Sequence, residues 1–239
     1  ITRIGSMVSG YESADGANWT LVGSVALDLP ETVEIGLFVT SHEVTALGTA
    51  VFDQVSFAPV SSLPAGWTSV DVGDPALLGS ASVSGTTWTV NGAGNDIWAD
   101  ADQFHYVYRS LPGDGEIVAR VLSQQATNEW AKAGVMIKQA PTAGSPYVAA
   151  FVTPAHGVHL QQDFTRDVDG GAGAGRTWLK LTRTGTTVTA YRSADGVTWT
   201  AIGTAEVAEG DLTIGLFVTS HDGGLVCTVT FDQVSVTTE

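Results

Sequence analysis

Acidic residues crowd the segment NDIWADAD, where Asn95, Asp96, Asp100 and Asp102 offer the hard oxygen ligands that calcium prefers. The same eight residues read equally as a solvated acidic loop. A second set of side chains suits a sugar. Saccharides are held by stacking on aromatic rings, with planar polar groups replacing water on the rest of the ligand. Trp98, His105, Arg120, Trp130, Lys132, His159 and Gln161 are of the required types. In HLQQD, strand alternation puts His159 and Gln161 on one face and Leu160 and Gln162 on the other. Trp130 opens WAKAGVMIK, where it serves a binding face or closes a core edge.

Residue patterns for catalysis are missing. Asp114 and Glu116 flank Gly115 at a turn, which is no place for a carboxylate pair working across a cleft. No G-x-S-x-G elbow occurs. The glycine run GGAGAGR (170–176) lacks the following GK[ST] of a phosphate loop and reads as a flexible loop. The histidines show no H-x-H or H-E-x-x-H spacing. Cys227 is the single cysteine, so an internal disulfide and a cysteine-based zinc cage are excluded. Within LVCTVTF it reads as a buried, inert thiol. The chain is expected to be no enzyme.

The elements that must position these groups are strands. Of 239 residues 44% are hydrophobic and only 15% charged, enough apolar material for a sizeable core. Thr, Val, Gly and Ala abound, and short alternating segments are bounded by Gly, Asp, Asn, Ser or Pro. No helical stripe with a cap is visible. About eleven such segments follow Trp67, which implies two antiparallel sheets packed face to face. In GEIVARVLS, both strand faces are mostly apolar, so this strand is expected to be central, covered on one side and lining a cleft on the other. The net charge of −15 excludes nucleic acid as a partner, since phosphates require a positive field. No apolar run is long enough for a membrane span, and ITRIGSMVSG lacks the features of a signal peptide.

Residues 1–56 repeat as 181–235 with one single-residue gap. YESADGANWTLVG returns as YRSADGVTWTAIG, IGLFVTSH stands at 35–42 and at 214–221, and FDQVS at 52–56 and at 231–235. The spacing is that of a whole domain. The chain therefore divides into 1–57, the C-terminal third of a first sandwich; 58–66, a Pro/Ser linker; and 67–239, a complete sandwich. In the repeated SADG, Gly196 tolerates the positive φ of a tight turn, and Ser193 and Asp195 can bond its backbone. Tyr191 and Trp199 are placed on the two arms for cross-strand aromatic packing. A self-supporting hairpin is expected, with sugar stacking or a calcium loop as the functional readings. His42 and His221 both follow VTS, which points to a shared structural hydrogen bond.

WLKLTRTGTTVTAYRSADGVTWTAIG, followed by LTIGLFVTSH and FDQVSV, resembles the C-terminal half of concanavalin A-like (laminin-G-like jelly-roll) β-sandwich domains. GDGEIVARV, WAKAGVMIK and GAGNDIWADADQFHYVY are similar to the subgroup of large secreted bacterial proteins that includes the "regulation of enolase" type. The resemblance covers 67–239, and 1–57 as a partial copy. It implies an all-β, antiparallel two-sheet jelly roll and an extracellular or cell-surface setting. It also implies a structural calcium near the aspartate of the last strand, here Asp232. The E-x-D-x-x-E strand of concanavalin A-like hydrolases is absent. Two functions are consistent with this: a non-catalytic accessory module binding carbohydrate or a partner, or a structural repeat of a fibre or adhesin. In the second, polysaccharide gives way to neighbouring copies of the chain as partner, through domain contacts or strand exchange.

Overall fold

β-branched and aromatic residues alternate between turn residues along most of the chain, and among the described residues every helix or strand is a strand. The computed structural model describes residues 1–4, 7–16, 18–27, 29–30, 33–57, 63–173 and 176–238, in two units, 1–60 and 61–239. Residues 58–62 of the expected linker, and 174–175 of the glycine run, lie outside the described residues.

The second unit carries the sandwich. Its strands are β4 (Thr68–Val72), β5 (Ser80–Ser84), β6 (Thr87–Gly94), β7 (Ile97–Trp98), β8 (Ala101–Asp102), β9 (Phe104–Leu111), β10 (Gly115–Gln124) and β11 (Lys132–Lys138). They continue as β12 (Tyr147–Thr153), β13 (Gly157–Gln162), β14 (Arg166–Asp169), β15 (Thr177–Thr184), β16 (Thr187–Ser193), β17 (Thr200–Glu206), β18 (Leu212–Thr219) and β19 (Asp222–Thr238). β1 to β3 belong to the first unit. One seven-stranded sheet runs β17-β16-β15-β10-β19-β6-β5, and the other runs β14-β13-β12-β11-β18-β9-β4. All pairings are antiparallel. This is a two-sheet jelly-roll sandwich.

The core lies between the sheets. Ile117, Ala119 and Val121 of β10 enter it against Ala133, Val135 and Ile137 of β11, with Leu216 and Phe231 filling the centre. Arg120, which alternates with these residues, points the other way. The strand with two apolar faces is therefore not β10. It is the β11–β12–β18 group, where every residue of β11 and β12 is buried. The second face of that sheet carries a separate cluster of Phe104, Tyr106, Met136, Tyr147, Phe151 and Phe217, closed over by Ile97 of the short β7–β8 hairpin.

Two copies of the repeat can be compared directly. In the first unit, β1 (Thr2–Ile4), β2 (Met7–Glu12) and β3 (Thr20–Ala26) form a three-stranded sheet. Ser9 pairs with Ser24, Gly10 with Gly23, and after a bulge Tyr11 with Leu21. β16 and β17 pair Thr189 with Thr204, Ala190 with Gly203, and after the same bulge Tyr191 with Ala201. Both SADG turns are held alike: Gly16 N–H donates to Ser13 Oγ at 2.9 Å, and Gly196 N–H to Ser193 Oγ at 2.9 Å. At Gly196 φ is +74° and a β-carbon would strike the Trp178 ring at 2.7 Å. Asp195 accepts the Val197 and Thr198 amides and the Ser193 hydroxyl, which hold its carboxyl down at about 2. Tyr191 and Trp199 do not stack on each other across the arms. Lys180 Nζ sits over both rings, at 4.8 and 4.4 Å.

Beyond the hairpin the copies part. IGLFVTS at 214–220 forms most of β18, whereas the identical residues at 35–41 form no strand. Phe217 is 1% exposed and Phe38 is 85% exposed; Phe231 is 0% exposed and Phe52 48%. The turns survive nonetheless. His42 and His221 both have φ +54°, and Gln54 and Gln233 have φ +50° and +52°. Ser41 Oγ donates to Glu43 O at 2.7 Å, as Ser220 Oγ does to Asp222 O. The shared feature after VTS is thus a serine-held turn, with the histidine in its left-handed position.

Candidate functional site

The outward face of β11, β12 and β13 brings Lys132, Phe151, His159 and Gln161 to one end of the sheet. Register fixes the set: Phe151 lies opposite His159, and Gln161 opposite Asp167 of β14. The hairpin that carries β7 lies over these residues and contributes Asp96 and Trp98. Trp130 comes from the turn before β11 and His221 from the turn after β18, whose last residue Thr219 pairs with Lys132. Together Asp96, Trp98, Trp130, Lys132, Phe151, Gln161, Asp167 and His221 line a cavity of about 350 Å³.

Its floor is rigid. Lys132 Nζ donates to Asp96 Oδ1 at 2.5 Å and to Ile97 O at 3.1 Å, and lies 5.6 Å from the Phe151 ring centre. Burial pushes the Lys132 ammonium below the usual lysine range, and the Asp96 carboxylate opposes that shift. Gln161 donates its amide to Ile97 O and to the Tyr147 hydroxyl. Burial raises the Tyr147 phenol, so it stays protonated. Asp96 is engaged on both oxygens, since His221 Nε2 lies 3.2 Å from Oδ2 and the Ile97 amide donates to Oδ1 at 2.7 Å.

The walls are aromatic. Trp130 stacks on His156 with centroids 3.7 Å apart and planes 11° from parallel. His156 in turn lies 3.5 Å from Glu129. One face of the Trp130 indole is therefore covered by protein, which fixes the ring and leaves it as a pre-oriented wall. Trp98, 36% exposed, supplies the other aromatic wall. His159 supports the site from beneath: it stacks on Phe151, meets Trp130 at 5.5 Å, and is tied by Nδ1 to Asp167 at 2.9 Å.

Of the sugar-binding candidates, Trp98, Trp130, Lys132 and Gln161 line this cavity, and His159 buttresses it. His105 and Arg120 do not join them. His105 is on the face of β9 shared with Val107, buried, with Nδ1 2.8 Å from Asp71. Arg120 belongs to the other sheet, where it holds Asp232 through two charge-assisted bonds and lies over Trp178 at 5.3 Å. Asp232, the expected ligand of the last strand, is thus occupied by a guanidinium. The four residues of the acidic loop are divided as well. Asp96 faces Lys132. Asp102 meets the buried ammonium of Lys138 at 3.2 Å and accepts the Gly144 amide at 2.7 Å. Asn95, Asp100 and Asp102 line a separate, open cavity. Among the described residues, no group of three or more His, Cys, Asp or Glu side chains converges on a metal position.

Sequence reasoning did not single out Phe151 or Asp167, nor His221 for this site. Asp167 could have been found from the hairpin register opposite Gln161. His221 was hidden by its recurrence after VTS, which marks a turn in both copies while only one of them meets Asp96.

No family model matches the chain, and no curated protein matches it. Solved structures do. A functionally unknown protein from Saccharomyces cerevisiae shares 17% identity at a TM-score of 0.57, over 73% of this chain and 97% of that one. The GH43 protein BlXynB from Bacillus licheniformis, in a mutant form, shares 15% identity at a TM-score of 0.56. That match covers 96% of this chain and 46% of the other, so the chain spans less than half the length of BlXynB. At such identities the likeness concerns the fold.

Proposed function

We propose that the second unit is a non-catalytic carbohydrate-binding module, and that the cavity beside Trp98 and Trp130 holds a neutral saccharide. The observation that carries this is an aromatic-walled cavity with planar polar groups at its base, of a size within the ~300–1,000 Å³ of small-molecule sites. Sugar rings present apolar C–H faces to indoles, and their hydroxyls donate to carboxylates. Asp167 offers such an acceptor at the rim. The charge balance favours an uncharged ligand: Lys132 is already neutralised by Asp96, and Asp167 adds a negative charge that a uronate would have to face. Asp96, held by Lys132, His221 and the Ile97 amide, is poorly placed to donate a proton to a leaving group, which supports binding without turnover. The GH43 protein among the structural neighbours fits the same context. We read the setting as extracellular or cell-surface, in the subgroup that includes the "regulation of enolase" type, on the order of the motifs GDGEIVARV and WAKAGVMIK.

An array of neutral and uronic oligosaccharides tests this. The chain should retain neutral glycans, and Trp98→Ala or Trp130→Ala should weaken retention roughly 30-fold, the loss of a hot spot of ~2 kcal/mol. Trp199→Ala should leave it unchanged. Bound oligosaccharide should be recovered uncleaved. Retention confined to uronates, or unaffected by both tryptophan variants, would overturn the reading.

A further inference from the structure

His159 is buried, and both nitrogens of its ring face oxygen acceptors. Nδ1 lies 2.9 Å from Asp167 Oδ2, and Nε2 lies 3.0 Å from the backbone carbonyl of His156. A carboxylate and a carbonyl oxygen accept hydrogen bonds and donate none. A neutral imidazole carries a single N–H, so it would set a lone pair against one of these oxygens. Turning the ring over sets carbon atoms against both. His105, the other buried histidine tied to an aspartate, differs. Its Nδ1 meets Asp71 at 2.8 Å, and its Nε2 has no hydrogen-bonding partner among the described residues, so one proton satisfies it.

We infer that His159 is a doubly protonated positioning residue, a clamp on two of the contacts that the cavity offers a saccharide. The inference rests on the saccharide reading of the cavity. From Nδ1 the ring donates to Asp167, the acceptor at the rim. From Nε2 it donates to the carbonyl of His156, whose own ring backs the Trp130 indole. Its charge is met by Asp167 and by the face of Phe151, 5.6 Å away and 17° from parallel. The other charged groups nearby are committed. Asp169, opposite His159 in the register, accepts the Gly171 amide; Lys132, against the same Phe151 ring, is held by Asp96. Glu129 stands against His156, and His221 against Asp96. Loss of one ring proton therefore releases either the rim acceptor or the turn behind Trp130. Affinity is full while the ring holds two protons and falls as rising pH removes one.

Two measurements on the full chain test this. In free protein labelled with ¹⁵N-histidine, both ring nitrogens of His159 should carry hydrogen-bonded protons at pH 6. Calorimetric affinity for a neutral oligosaccharide retained on the array should then fall roughly 10-fold as pH rises, the worth of one charge-assisted bond. The midpoint should coincide with the one at which the His159 ring loses a proton. His156→Phe, which keeps a ring behind Trp130, and His221→Asn remove the other imidazoles beside the cavity, and the midpoint should persist in both. A single ring proton on His159 at pH 6 overturns the inference, as does an affinity without a pH step or a step that vanishes with His156 or His221. The two readings fail separately. A single ring proton beside ordinary saccharide binding defeats the clamp and upholds the saccharide reading. Two ring protons with no neutral saccharide bound at any pH do the reverse.

Discussion

Phe38 and Phe217 occupy the same place in an identical octapeptide, so replacing each by alanine separates what the sequence encodes locally from what the sandwich provides. Phe217 is buried between Phe104 and Phe151, edge-on to both at 6.0 and 6.1 Å. Its partners are held by the register of β9, β12 and β18, so the site cannot collapse around the loss. Phe217→Ala should cost about 3–5 kcal/mol, the usual range for a large aromatic removed from a packed core. For a unit of this size each kcal/mol lowers Tm by about 2–4 °C, giving a fall of about 6–20 °C. Phe38 has no such cage, and Phe38→Ala should stay within about 0.5 kcal/mol. Urea melts of the two variants, followed by near-ultraviolet circular dichroism, measure both. Equal effects, or a cost at Phe38 above ~2 kcal/mol, would refute the reasoning, because the first copy would then be packed.

Other expectations concern buried ionisable groups. Lys138 is sealed among Phe104, Tyr147 and Phe164 with Asp102 as counter-charge, so Lys138→Met should cost about 3–5 kcal/mol by leaving that carboxylate unpaired. Adding Asp102→Leu should restore much of the loss, as a double-mutant cycle would show. Burial pushes the Cys227 thiol up to about 11, so native protein should resist alkylation at pH 8 and react only on unfolding. Its linkage runs downward with alkali: between pH 9 and 11 the unfolded chain loses this proton and the folded one keeps it, so stability falls. Asp195 should titrate near 2 by NMR, and its contribution, present above the ordinary aspartate range, is lost as pH falls through that window. A value near 3.9 would contradict the turn geometry.

What could be read from sequence was local. Strand alternation placed His159 and Gln161 together, and the SADG turn follows from Ser193, Asp195 and Gly196 alone, which is why it forms in both copies. Pairings across long stretches were not legible. Arg120 finds Asp232 across 112 residues and Lys132 finds Asp96 across 36, and neither spacing follows from a strand period. The acidic loop reads from sequence as a calcium shell or a solvated loop, because Lys132 and Lys138, which meet Asp96 and Asp102, lie elsewhere in the chain. The apolar second face was assigned to β10 because GEIVARVLS carries it openly. In β11 the same property is masked by Lys132 and Lys138, whose burial depends on a hairpin more than thirty residues away. The octapeptide IGLFVTSH shows the limit most clearly, since its strand exists only where β9 and β11 flank it.

The claim that the cavity binds a neutral saccharide is tested most directly at the indoles themselves. The chain has seven tryptophans, and only Trp98 and Trp130 line the site. Titrating neutral oligosaccharides into ¹⁵N-labelled protein should shift the Trp98 and Trp130 indole N–H resonances in a saturable way, and leave those of Trp19, Trp67, Trp88, Trp178 and Trp199 in place. No shift at either indole with any neutral oligosaccharide, or shifts confined to the other five, would contradict it.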